Sequence, residues 1–215
     1  MMYTECFPRG KQLEIKKFVL KFLDVNCYLV SYKNHSFLID PGSEFKRIKE
    51  YIVKNNIKLD FIINTHAHYD HFAAAPDLMK EFDVPFYMHE NEEDIMEDPK
   101  KNLSSILGSG DLLLQTCTLI SGDVIDNFLN LGIKLMNFAG HTPGSIIIKI
   151  DDNLFTGDIL FKGSIGRTDL PGGSSRKMAQ TLEIIKSFDN KLKIFPGHGP
   201  ESTMKEELEN NYFLR

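Results

Sequence analysis

His66, His68, Asp70 and His71 crowd into six consecutive residues immediately after the apolar run Phe61-Ile62-Ile63-Asn64. A short β-branched run of this kind reads as a buried strand, so its end delivers the cluster to a loop at a sheet edge. His66 and His68, two residues apart, can turn toward one ion from an extended loop. Asp70 and His71 follow where the chain enters Phe72-Ala73-Ala74-Ala75, a helix start that can redirect the pair toward a second ion. Imidazole nitrogen together with carboxylate oxygen suits zinc, iron or manganese, and this defines a class of metal site.

The other histidines extend the pattern. His141 lies in Ala139-Gly140-His141-Thr142-Pro143-Gly144 and His198 in Phe195-Pro196-Gly197-His198-Gly199-Pro200, while Asp158 ends Leu154-Phe155-Thr156-Gly157-Asp158. Each follows a β-like run and sits at a glycine turn, where small residues let the backbone approach an ion closely. One histidine beside a glycine is an ordinary polar turn; recurrence at several strand ends is the pattern of a metal site. His89 reads as a structural residue at a strand end and His35 as a turn residue.

The order of these motifs resembles the metallo-β-lactamase superfamily, over a span from about Leu13 to His198. The resemblance implies two divalent ions, zinc foremost and iron or manganese as alternatives. His66, His68 and His141 would hold metal 1, and Asp70, His71 and His198 metal 2, with Asp158 bridging. Asp40, in Ile39-Asp40-Pro41-Gly42, matches the motif that supports the site from behind the ligands. The commonest zinc β-lactamases carry a cysteine at the position of Asp158, so antibiotic hydrolysis is not expected.

The stretch Gly163-Ser164-Ile165-Gly166-Arg167-Thr168-Asp169-Leu170-Pro171-Gly172-Gly173 is similar to the glyoxalase II-like (hydroxyacylglutathione hydrolase-like) branch. A glycine-rich loop carrying Arg167 beside a metal site would hold an anionic group by a charge-assisted hydrogen bond. The C-terminal helical domain of full-length glyoxalase II has no counterpart here, and Asp169 would repel substrate carboxylates if it faced them. The resemblance therefore implies a short-form hydrolase of a small anionic thioester, S-D-lactoylglutathione or a related hydroxyacyl thioester. Hydroxide formed from water on the two ions would be its nucleophile, and Asp70 and Asp158 its catalytic carboxylates. Two alternatives remain open. One is a persulfide dioxygenase holding one iron on the equivalents of His66, His141 and Asp158; the other is a metal-binding protein without catalysis.

At 215 residues with 42% hydrophobic content, the chain is long enough for one large core. Residues 1–12 read as an N-terminal extension and 13–215 as a single domain. A formal charge of -5 without a basic cluster argues against a nucleic-acid partner. Three scattered cysteines, Cys6, Cys27 and Cys117, suit free thiols in a reducing compartment. The first ten residues lack the apolar core of a secretory signal, and the expected location is the cytoplasm, with no membrane contact.

Predicted strands at 13–22, 27–31 and 36–39 precede a helix at 44–55 and the metal-loop strand. A second β-rich half, with strands at 117–120, 133–138, 145–150 and 154–156, leads to a helix at 174–188, a last strand and a terminal helix. Glu90-Asn91-Glu92-Glu93-Asp94 reads as a solvated helix face, and 98–111 as a loop. Two β-rich halves with helices outside predict an α/β (α+β) chain folded as a four-layer αββα sandwich, metals along one edge.

Overall fold

Alternation of side chains across pleated strands sets the architecture. In β2 (Asn26–Tyr32), Cys27 and Leu29 pack to one side while Tyr28, Val30 and Tyr32 pack to the other. In β9 (Ile146–Ile150), Ile147 points away from Ile146, Ile148 and Ile150 in the same way. Strands buried on both faces need apolar residues at nearly every position, and unbroken apolar runs in the sequence reflect this.

The computed structural model describes residues 13–108, 110–112 and 116–215. The predicted extension at 1–12, with Cys6, lies outside them, as does Ser109. One sheet takes its strands in chain order: β1 (Glu14–Val19), β2, β3 (His35–Ile39), β4 (Phe61–Ile63), β5 (Phe86–His89) and β6 (Thr118–Ile120). Its first two pairings are antiparallel and the next three parallel. The second sheet contains β7 (Val124–Phe128), β8 (Ile133–Asn137), β9, β10 (Asn153–Gly157), β13 (Lys193–Pro196) and β14 (Ser202–Thr203), in spatial order β14-β13-β10-β9-β8-β7. A small hairpin of β11 (Leu160–Phe161) and β12 (Ser164–Ile165) follows β10.

The sheets meet through one cluster that includes Tyr28, Phe37, Phe61, Ile148, Phe155 and Phe195. Ring centroids of Phe155 lie 5.2 Å from Tyr28 and 5.1 Å from Phe195, so aromatic contacts stitch the layers together. Outside the first sheet pack α1 (Phe45–Lys54), α3 (Ala75–Phe82) and α4 (Glu93–Met96), through Ile48, Ile52, Leu78 and Ile95. Outside the second pack α6 (Ser175–Ile185) and α7 (Met204–Asn210), through Met178, Leu182, Ile185 and Met204. This is the expected αββα sandwich. Among the described residues no helix is long and apolar enough to cross a membrane.

Several boundaries differ from the predicted ones for local reasons. The first strand stops at Val19, because the chain turns through Leu23 and Asp24, both at positive φ (53° and 54°). The helix predicted over 174–188 occupies Ser175–Ile185, started by the Ser174 side chain accepting the Lys177 N–H at 3.3 Å. Helix formation begins at Tyr69, in α2 (Tyr69–Phe72), earlier than the alanine run. The stretch predicted as a loop at 98–111 contains a short helix, α5 (Ser104–Leu107).

Candidate metal centre

Two adjoining segments from the first half of the chain and three turns from the second converge at one edge of the sandwich. The turn after β4 brings His66 and His68, and α2 brings Asp70 and His71. His141 comes from the β8–β9 turn, Asp158 from the end of β10 and His198 from the end of β13. Their ligand atoms form three groups, each with all atoms within 4.8 Å: His66, His68 and His141; His66, His71 and Asp158; and Asp70, His71 and His198. All seven predicted ligands are thus brought together, and six of them are buried.

The spacings are those of ligands around ions. Atoms sharing a tetrahedral ion at about 2.0–2.1 Å stand about 3.3 Å apart. His71 Nε2 lies 3.4 Å from Asp158 Oδ1, and His141 Nε2 lies 3.6 Å from Asp158 Oδ2. His198 Nε2 is 3.4 Å from Asp70 Oδ2 and 3.3 Å from His71 Nε2. His68 Nδ1 faces His141 Nε2 at 2.9 Å. Three buried atoms, His66 Nε2, His68 Nε2 and Asp158 Oδ1, have no hydrogen-bond partner in the protein, a costly condition that a bound cation would relieve at the converging donors. The residues present fit a metal site of nitrogen and oxygen ligands.

Residues behind the ligands fix the direction of each ring. Asp40, in the left-handed region at φ 53°, accepts the Thr65 N–H at 2.7 Å and the Thr65 hydroxyl at 2.7 Å. Its Oδ2 also accepts from His71 Nδ1 at 3.1 Å, which leaves His71 Nε2 free to face inward. Because the Thr65 hydroxyl donates to Asp40, it accepts from His66 Nδ1 at 3.1 Å. His141 Nδ1 donates to the Arg167 carbonyl at 2.7 Å, and His198 Nδ1 to the Leu23 carbonyl at 3.0 Å. Gly42, in the same turn as Asp40, stands where a Cβ would come within 1.5 Å of the Asp70 carbonyl oxygen, so only glycine lets this turn seat against α2.

Electrostatics divide the cluster. Burial and the neighbouring imidazoles hold His66 well below the usual histidine range, and burial takes His68 down to about 3. Burial also lowers His141. Burial alone would raise Asp158, yet His71, His141 and His198 pull it well below the carboxylate range. His71 is opposite in sign: burial would lower it, and Asp158, Asp70 and Asp40 raise it instead. One trio therefore offers bare imidazole lone pairs at neutral pH, while the other is charge-rich and must release protons to take a cation.

Sequence reasoning missed three contributors. Glu92 was read as part of a solvated face, but it is 0% exposed; it alone of the acidic run turns under the metal loops. Burial pushes its carboxyl up to about 7, against hydrogen bonds from the Ala67 and Gly144 amides. Asn26 holds the His198 turn, donating to the carbonyls of Pro196 at 2.9 Å and Gly199 at 2.8 Å. Thr65 carries no ligand atom, and only its hydroxyl between Asp40 and His66 reveals its part. Arg167, predicted to bind substrate, is exposed and forks onto Asp169 through two bonds of 2.7 Å.

Residues 20–198 match the model of the metallo-β-lactamase superfamily. The chain belongs to this superfamily. Among curated relatives of this superfamily member, the probable metallo-hydrolase YqgX of Bacillus subtilis is 32% identical over 89% of this chain and 93% of its own length. The hydroxyacylglutathione hydrolase GloC of Haemophilus influenzae is 30% identical, covering 88% of this chain and 92% of GloC. Two solved structures are similar: BLEG-1, described as a B3 metallo-β-lactamase, has a TM-score of 0.83, 28% identity and coverage of 94% and 99% of the two chains. TTHA1623 in a di-iron-bound form has a TM-score of 0.81, 29% identity and coverage of 93% and 100%.

Proposed function

We propose that this chain is a metal-dependent hydrolase of small thioesters, S-D-lactoylglutathione or a related hydroxyacyl thioester. The observation that carries the reading is the meeting of an all-histidine triad and a mixed carboxylate and histidine triad at a single carboxylate, Asp158, which lies 3.6 Å from His141 and 3.4 Å from His71. The likeness to GloC supports the substrate class. Zinc suits the ligand set, and the di-iron form of TTHA1623 makes iron an equal candidate.

His66, His68 and His141 would hold one cation, and Asp70, His71 and His198 the other. Divalent cations held by these residues would supply Lewis-acid polarisation of a substrate carbonyl and a lowered pKa for bound water. Asp70, held low despite burial by His71 and His198, is ionised at neutral pH and placed to accept a proton. The Asp158 carboxylate lies between His71 and His141 and keeps the triads in register. A thiolate leaving group needs little protonation, so thioester cleavage makes a small demand on any general acid. Arg167 would meet the substrate's anionic end, its charge reduced by Asp169.

The test is metal content per chain on anaerobically purified protein, with S-D-lactoylglutathione hydrolysis on the same sample. Two metals with thioester cleavage are expected, and Asp70→Asn should lose turnover; full activity with full metal content in that variant would overturn the role of Asp70. Cleavage of a β-lactam instead, suggested by the likeness to BLEG-1, would replace the thioester reading. One iron, no thioester cleavage and oxygen uptake with glutathione persulfide would make the chain a dioxygenase.

A further inference from the structure

We propose that Glu92 is a positioning residue for the His66, His68 and His141 triad, its buried carboxylate tying together the two turns that carry those histidines. Glu92 Oε2 accepts the Ala67 N–H at 2.7 Å, and Ala67 is the residue between His66 and His68. Its Oε1 accepts the Gly144 N–H at 2.6 Å, in the turn that begins at His141. The Thr142 hydroxyl, in the same turn, pairs with the Ser145 hydroxyl at 2.6 Å. The two amide donors belong to different sheets, since one turn leaves β4 and the other enters β9. Glu92 itself stands on a third segment, just before α4.

The packing around this contact is specific to it. A Cβ on Gly144 would lie 2.7 Å from Glu92 Cγ, 2.8 Å from its backbone nitrogen and 2.9 Å from Oε1, so a glycine is required where the carboxylate arrives. Among the described residues no lysine, arginine or histidine forms an ion pair with Glu92. Its burial is supported by short bonds from two backbone amides. A buried carboxylate held this way is costly, and an apolar residue of similar size would pack more cheaply. The gain is geometric: both amide donors are rigid main-chain groups within three residues of a candidate ligand. One neighbouring link, from Ile146 N–H to the Thr65 carbonyl at 2.9 Å, makes the join a two-point clamp. Glu92 forms no hydrogen bond or ion pair with any of the three histidines, so it acts through the backbone that aims them.

This inference rests on the reading that the triads hold cations, and the experiment separates the two. The metal-free chain, wild type and Glu92→Gln, would be titrated with cobalt(II), following stoichiometry and the visible absorption bands. Glutamine keeps the shape but turns a donor toward one of the two amides, releasing one loop. The expected result is unchanged uptake at one site, a loss of about ten-fold to a hundred-fold in affinity at the histidine triad, and altered bands from that site. Gly144→Ala should reproduce it by displacing the carboxylate. Two cobalt ions with identical affinity and spectrum in both variants would overturn the role of Glu92 alone. A wild-type chain that takes up no cobalt would overturn the metal reading and this proposal with it. Hydrogen exchange on the wild type adds a reading independent of variant folding: protected Ala67 and Gly144 amides are expected, and fast exchange at either would overturn the clamp.

Discussion

At the scale of single residues, the site depends on groups that never touch an ion. Asp40→Ala removes the acceptor for His71 Nδ1 and for the Thr65 amide and hydroxyl together. It should cost about ten-fold to a hundred-fold in metal affinity, measured by competition with a chelator. The thiols give a second prediction. Burial raises Cys27 well above its usual value, and burial pushes Cys117 up to about 12. The reactive thiolate of Cys117 is then scarce at pH 8 and increases about ten-fold per pH unit below its pKa, so alkylation should be slow and rise with pH. Peptide mapping after iodoacetamide treatment of the native chain should find Cys27 and Cys117 unmodified at pH 8. The ligand candidates could be read from the sequence because each sits at a strand end beside small or polar residues. Glu92 could not: in Glu90-Asn91-Glu92-Glu93-Asp94 nothing local separates the one buried carboxylate from its solvated neighbours.

At the scale of elements, the central strands carry the stability, and their burial on both faces made them legible. Phe155 on β10 is fully buried between Tyr28 and Phe195. Phe155→Ala should destabilise the fold by about 3–5 kcal/mol, read from denaturant unfolding of metal-free protein. The edge strand β7 was not foreseen. In Val124-Ile125-Asp126-Asn127-Phe128 three of five residues are exposed, so the pattern is that of a polar connector until β8 is seen beside it. The short helix α5 escaped for a related reason: its four residues show no helical period, and the Asn102 side chain holds its entry by accepting the Ser104 N–H at 2.8 Å. That segment also reaches the site's border, where the Asn102 carbonyl accepts the N–H of Tyr69, the first residue of α2.

At the scale of the molecule, the sandwich was legible from its repeated halves, whereas the contacts joining them were not, because residues such as Asn26 and Pro196 meet across 170 positions. Cations binding only the folded state should stabilise it by about 2.7 kcal/mol each when free at a hundred times the dissociation constant. Stripping them with a chelator should lower the melting temperature by roughly 5–10 °C per ion, measured by calorimetry. Each sheet is built wholly from one contiguous half of the chain, with the changeover between β6 and β7 at Ser121-Gly122-Asp123. Each candidate triad draws residues from both halves, two from the first and one from the second: His66 and His68 with His141, Asp70 and His71 with His198. A chain nicked at Gly122 would thus become two fragments sharing every ion, and their reunion would serve as a complementation switch thrown by metal.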